Sequence, residues 1–393
     1  MAFSRHWAAF APRRETRPGL KIAVVIPCYR VVNQIERVLR QIGPEVARIY
    51  CVDDGCPEHS GQVAERAARE DSRICVIRHP RNLGVGGAVV TGYQQALHDR
   101  ADVIVKMDGD GQMDSRLIPQ LVAPILRQEA DYVKGNRFFH LESLRSMSWV
   151  RLIGNAGLSF WSKLSSGYWD SFDPTNGFTA IHGAVLKQLP LDKLSRRFFF
   201  ESDILFRLNL LNAAVENVPM DARYADEHSN LGPLRSLLVF PLLHSRNLCK
   251  RIFYNYFLRN FSVPSLHLLA GILLTACGTV FGAVQWIKSI RTEVLASAGT
   301  VTLSALLIIL GLQFLLSFIS YDIASVPKKP IHPRLGEDNV PGEGVAPRAV
   351  TAAREPGEDR SQDWTYEMHY CRIPHVSEGI SGRSRHPSSI SPE

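Results

Sequence analysis

A chain of 393 residues, 45% apolar and carrying a formal charge of +7, is long enough for one large folded domain with further segments to spare. Its seven cysteines contain no Cys-x-x-Cys pair, which excludes a zinc ribbon or a disulfide scaffold as the organising device. The net charge is modest and names no partner by itself, so the local distribution of charge carries the information.

Residues 1–19 hold Arg5, Arg13, Arg14 and Arg17 without the apolar stretch of a secretory signal, and read as a loose arm. From 20 to 231, short β-rich runs alternate with helical patterns. The strands predicted are Lys21 to Pro27, Arg48 to Asp53, Ile74 to Arg78, Val103 to Met107, Tyr132 to Lys134 and Gly177 to Ile181. Helices are expected over Val31 to Gln41, Glu58 to Glu70, Val85 to His98 and Leu117 to Gln128. Apolar strands separated by helices argue for an α/β fold with a doubly wound, mostly parallel sheet. Such sheets bind ligands at the carboxyl ends of their strands.

Polar residues gather at those ends. Asp53 and Asp54 close the second strand, and Asp108-Gly109-Asp110-Gly111-Gln112 follows the fourth. Two carboxylates separated by a glycine can face one side while the backbone turns sharply. That suits a hard divalent cation, which takes one or two carboxylates plus substrate phosphates. Taken alone, the string also fits a solvated turn; an EF-hand is excluded, since no helix precedes it and the other spaced ligands are missing. Gly84-Val85-Gly86-Gly87 lacks the Gly-x-Gly-x-x-Gly spacing and follows the third strand, so a dinucleotide site is not expected. These glycines are expected to let a helix start close to a ligand or to the sheet.

Residues 232–263 mix Arg235, Arg246, Lys250, Arg251 and Arg259 with Phe240, Phe253, Tyr254, Tyr256 and Phe257, the pattern of interfacial helices on anionic headgroups. A nucleic-acid surface is the competing reading, disfavoured because the stretch leads straight into an apolar run. Leu266 to Ile287 and Thr300 to Tyr321 are free of charge and long enough to span a bilayer, which takes about 20 apolar residues. They place two transmembrane helices within 264–325. Cations flank the pair more densely than its loop, so the large domain and the tail are expected in the cytoplasm. Gly271, Gly278 and Gly282 offer packing surfaces for the hairpin on itself or on a second copy. The Pro-, Gly- and Ser-rich stretch 326–393 reads as a disordered tail.

The ordered set Val25-Ile26-Pro27 with Tyr29, Val52-Asp53-Asp54-Gly55, Asn82-Leu83-Gly84 with Gly92-Tyr93, and Asp108-Gly109-Asp110 resembles family 2 glycosyltransferases of the GT-A fold. Lys134-Gly135-Asn136-Arg137, Asp173-Pro174-Thr175-Asn176-Gly177-Phe178, Phe200-Glu201-Ser202-Asp203, and Arg223-Tyr224 with Ser229 are similar to the branch of dolichyl- and polyprenyl-phosphate sugar synthases. The resemblance implies a membrane-anchored, inverting transfer of one sugar from a nucleotide-sugar donor to a polyprenyl phosphate. It implies base and ribose contacts from Pro27, Tyr29 and Asp53, with Asp54, Asn82, Gly84, Lys106 and Asp108 also on the donor side. Mg²⁺ or Mn²⁺ would sit on Asp108 and Asp110, with Gln112 as a third ligand. Arg137, Arg151 and Arg223 would hold the acceptor phosphate, because guanidinium forks match phosphate oxygens. Asp110, Arg137, Glu201 and Asp203 form the expected catalytic set; the acidic pair would act as a base, orient the arginines or cap the helix through Leu211. Two alternatives stay open: transfer to a hydroxyl of a lipid-linked or surface glycan, and a silent membrane assembly subunit.

Overall fold

The computed structural model describes residues 19–137, 149–171, 173, 176–220 and 233–337. The arm 1–18, Arg223, Tyr224, Ser229 and the tail from 338 lie outside the described residues. Within them, β1 (Ile22–Cys28), β2 (Val46–Asp53), β3 (Ile74–Arg78), β4 (Val103–Lys106), β5 (Tyr132–Asn136), β6 (Thr179–His182) and β7 (Val215–Pro219) form one sheet. Its order is β3-β2-β1-β4-β6-β5-β7. Strands β1 to β4 are parallel, and β5 is parallel to β7. Only β6 among the described strands runs against its neighbours, β4 and β5. The α/β, mostly parallel sheet expected from sequence is therefore present, with one reversed strand and a seventh strand that the sequence reading did not place.

Alternation along each strand builds a core on both faces. Val24 and Ile26 point to one side, with Ile35, Leu39, Ile49, Leu121 and Val133. Ala23 and Val25 point to the other, with Tyr50, Tyr93, Tyr132, Ile181 and Leu205. Helices α1 (Ile35–Arg40), α2 (Ser60–Glu70), α3 (Val85–His98) and α4 (Ile118–Leu126) occupy the connections. Helix α1 starts later than its apolar pattern suggests, because Val31 first accepts from the amides of Gln34 and Ile35 in a tight turn. Three further helices follow: α5 (Trp149–Ser166), α6 (Gly183–Leu186) and α7 (Phe200–Leu210).

Helix α8 (Pro233–Phe253) continues into a π-helical turn, Tyr254–Arg259. Its face toward the domain is polar: His244, Asn247 and Arg251 are buried, three and four residues apart. Leu242 and Phe253 on the outer side are exposed. This is the reverse of a helix on a water-soluble protein. Two of the cations expected to face headgroups do not. Arg251 is buried against Asp322, and Arg259 donates to the Leu210 carbonyl.

Helices α9 (Val263–Thr292) and α10 (Ala298–Ala324) are each long and apolar enough to cross a membrane, and little of either is covered. They form an antiparallel hairpin whose glycines are spent on its own seam. A Cβ on Gly271 would meet Leu315, one on Gly278 would meet Leu307 and Ile308, and one on Gly311 would meet Thr275. Of the two packings expected for these glycines, the one of the hairpin on itself is present.

The start of the supposed tail is folded. Val326 is buried, and α11 (His332–Glu337) lies beside α6. Asp131 organises this return. Its carboxylate accepts from the amides of Ile331, His332 and Ala214 and pairs with His332 Nδ1 at 2.8 Å. The low-complexity composition after 337 concealed a docking segment before it.

Candidate active site

The carboxyl ends of β1, β2, β4 and β5 converge on the residues singled out from sequence. On β2, Asp53 is spent locally: its oxygens accept from the amides of Cys56 at 2.9 Å and Gly61 at 3.1 Å. It thereby holds the start of α2 rather than facing open solvent. Asp54 is a staple for the next loop, accepting from the amides of Leu83 and Gly84, each at 2.8 Å, and pairing with His79 Nδ1 at 2.8 Å. It places Asn82, which is exposed, near the β2 end. Near the end of β1, Pro27 is half-buried, and just past the strand Tyr29 is exposed, with the Arg30 guanidinium 5.5 Å from the Tyr29 ring centre.

Gly84, at φ +91°, lies where a Cβ would strike the Arg196 carbonyl, and Gly86 lies where one would strike the Ser195 carbonyl. The glycines open the start of α3 to the Ser195–Arg197 backbone rather than to the sheet, the second of the two approaches expected, and the Gly87 amide donates to Arg196 O.

At β4 the strand register sets two lysines on either side of Thr179: Lys106 pairs with Thr179 across β4 and β6, and Lys134 with Thr179 across β5 and β6. Both lysines are buried. Lys106 Nζ lies 2.9 Å from Asp108 Oδ1 and 2.8 Å from Glu201 Oε1. Burial alone would depress its ammonium, but Asp108 and Glu201 outweigh that and raise its pKa above the ordinary lysine value. Lys134 is pulled down to about 8, first by burial, with Lys106 and Arg137 adding repulsion against the attraction of Asp173 and Glu201. Lys106 and Lys134 thus lie in one buried layer with the carboxylates of Asp173 and Glu201.

Asp108 and Asp110 sit above this layer at the mouth of the site, both partly exposed. Asp110 Oδ1 accepts from the Gln112 amide at 2.9 Å, across a turn in which Gly111 takes φ +77°. Gln112 therefore meets Asp110 through its backbone. Among the described residues no three His, Cys, Asp or Glu side chains come together as a metal cage. Two carboxylates at an open strand end nevertheless fit a divalent ion that completes its shell with substrate oxygens. Asp108 and Asp110 would hold it.

Arg137, at the end of β5, is gripped by Asp173 through two bonds, Nε to Oδ2 at 2.8 Å and Nη2 to Oδ1 at 3.0 Å. The acidic pair Glu201 and Asp203 does not orient it. Asp203 instead accepts from the Ser195 amide, Arg207 Nε and Asn247 Nδ2, joining α7 to the loop before it and to α8. The backbone of Arg151 lies in α5, with its side chain outside the described residues, as is Arg223. Sequence reasoning gave no role to Asp173, Lys134 or Asn247. Asp173 and Lys134 stood inside quoted motifs, whereas Asn247 carried no signal beyond its spacing from His244 and Arg251.

Residues 23–194 match the model of glycosyl transferase family 2. The chain carries a family 2 glycosyltransferase domain. Among proteins it resembles, the UDP-N-acetylglucosamine–dolichyl-phosphate N-acetylglucosaminyltransferase of Methanococcus voltae is 28% identical over 220 residues, covering 52% of this chain and 86% of that one. The undecaprenyl-phosphate mannosyltransferase of Micrococcus luteus is 27% identical over 207 residues, covering 51% of this chain and 83% of its own. Glucosyl-3-phosphoglycerate synthase from Mycobacterium tuberculosis, in complex with Mn²⁺, UDP and glucosyl-3-phosphoglycerate, aligns with a TM-score of 0.45 at 20% identity, covering 59% of this chain and 80% of that one. The alignments with the first two relatives cover only about half of this chain.

Proposed function

We propose that this protein is a membrane-anchored, metal-dependent inverting glycosyltransferase that moves a sugar from a nucleotide-sugar donor to a polyprenyl phosphate. The observation that carries the lipid acceptor is the joint between domain and hairpin: Arg251 of α8 and Asp322 of α10 are bonded directly, which holds the cleft beside the end of a membrane-length helix. The names of the two relatives point the same way.

A lipid phosphate is ionised at neutral pH, so its oxygen attacks the anomeric carbon without a base while the bond from that carbon to the diphosphate oxygen breaks. Asp108 and Asp110 would hold Mg²⁺ or Mn²⁺, which would supply Lewis-acid neutralisation of the leaving diphosphate. Arg137, fixed by Asp173, positions the acceptor phosphate. Donor contacts are assigned to Pro27, Tyr29, Asn82 and Gly84; Asp53 and Asp54 serve by shaping the loops around the base. A hydroxyl acceptor would need a general base within reach, and both Glu201 and Asp203 are already paired. The domain and the segment after the hairpin are assigned to the cytoplasmic side.

The test is transfer of radiolabelled sugar from UDP- and GDP-linked donors by the purified full chain in detergent, with and without undecaprenyl phosphate. Label reaching the organic phase only with lipid phosphate and metal supports the reaction. Transfer to a glycan hydroxyl, or no transfer from any donor that binds, overturns it.

A further inference from the structure

We propose that Glu201 is a positioning residue which holds Lys106, and that Lys106 in turn fixes the carboxylate of Asp108 for the metal. This rests on the metal-dependent reading above and assigns Glu201 a task other than that of a base. Lys106 ends β4, and Asp108 follows two residues on. Glu201 arrives from the first turn of α7, 95 residues away in sequence. The ammonium has three donors, and two of them point at these two carboxylates, at 2.9 and 2.8 Å.

The ammonium has little room to point elsewhere. Only 1% of the Lys106 side chain is exposed. A Cβ on Gly177 would overlap both Lys106 Nζ and Asp108 Oδ2, so the backbone at Gly177 closes the top of the pair. Lys134 flanks Thr179 on the far side and repels a second cation. A buried ammonium is tolerated only when paired and hydrogen-bonded. Without Glu201 it would rest on Asp108 alone or pull toward solvent, and either change turns the carboxylate that faces the metal. Outer partners of metal ligands act in this way, typically setting affinity by ~10- to 100-fold. Glu201 makes a poor candidate for a base on the same geometry: its side chain is 11% exposed and one oxygen is on Lys106.

The experiment is calorimetric titration of Mn²⁺ into the full-length protein in detergent, with UDP and with GDP present, together with turnover, for wild type, Glu201→Ala and Glu201→Gln. The glutamine retains an oxygen that accepts from Lys106 and cannot act as a base. The expected result is Mn²⁺ affinity weakened by ~10-fold or more in the alanine variant, with both affinity and turnover largely rescued in the glutamine variant. Two results overturn the inference: unchanged Mn²⁺ affinity in Glu201→Ala, or a Glu201→Gln protein that binds Mn²⁺ and nucleotide normally but has lost turnover. Should the alanine variant fail to fold, Gly177→Ala displaces the same pair from above and must weaken Mn²⁺ binding. Absence of Mn²⁺ binding by the wild type itself would overturn the metal-dependent reading, and this inference with it.

Discussion

Arg251 and Asp322 meet fork to fork, Nη1 to Oδ1 at 2.7 Å and Nη2 to Oδ2 at 2.9 Å, with both side chains almost fully buried. Tyr256 and Trp169 donate to the same carboxylate, and Arg251 also reaches the Leu164 carbonyl. One aspartate near the end of α10 therefore ties together α8, the π-helical turn and the segment after α5. Asp322→Ala is expected to destabilise the protein by ~3–5 kcal/mol, since it strands a buried guanidinium. Arg251→Met with Asp322→Leu should recover most of that loss. Thermal unfolding in detergent of the single and double variants measures both.

Asp108→Asn and Asp110→Asn are expected to lower turnover by at least ~100-fold while leaving the unfolding temperature within a few degrees, because removing a ligand charge weakens the metal. Chelation should abolish wild-type turnover and added Mn²⁺ restore it. Retained activity in either variant would sink the metal assignment.

Gly278→Leu should splay the hairpin. The added side chain would fall on Leu307 and Ile308, and close approach of helices in lipid depends on small residues at the seam. Cross-linking between cysteines placed at Gly282 and Ser304, where a Cβ on Gly282 would lie 3.5 Å from the Ser304 Cβ, should proceed readily with Gly278 in place and drop sharply in this variant.

Acidification should loosen the joint between α6 and α11. His182 stacks on His332 with ring centres 4.3 Å apart, and its pKa is pushed down to about 4, first by burial and then by repulsion from His332, against the attraction of Asp131 and Asp102. The unfolded imidazole titrates near 6.5, so between 6.5 and 4 the unfolded chain binds the extra proton. Stability contributed by this site is thus complete above pH 6.5 and lost as pH falls toward 4. His182→Gln should flatten the dependence of unfolding temperature on pH over that window.

The parts of the fold that were legible in the sequence were those set by local pattern. The strands of β1 to β4, buried on both faces, announce themselves as apolar runs, and the Asp108 to Gln112 turn follows from its composition. The direction of β6 was not readable, since Thr-Ala-Ile-His has no feature that distinguishes a parallel from an antiparallel strand. β7 was missed because Val215–Pro219 is short and mixed in polarity. In the site, carboxylates could be found but their occupancy could not. Asp53 and Asp54 look alike as neighbours, yet one serves the α2 start and the other a loop 30 residues on. Asp322 did carry a signal, a single carboxylate just past an apolar run, but its partner lay 71 residues away.

The grip of Asp131 on Ile331 and His332 spans 200 residues of sequence and decides where the protein can be cut. A soluble catalytic fragment ending before Pro233 would retain Asp131 in a buried pocket with the Ala214 amide, while discarding the Ile331 and His332 amides and the imidazole that also satisfy it. A buried charge stripped of most of its partners is costly. The apolar hairpin is consequently not a detachable appendage but an excursion between two pieces of one domain. Excising it while preserving the enzyme calls for a short linker from the end of the π-helical turn to Val326, not a stop codon.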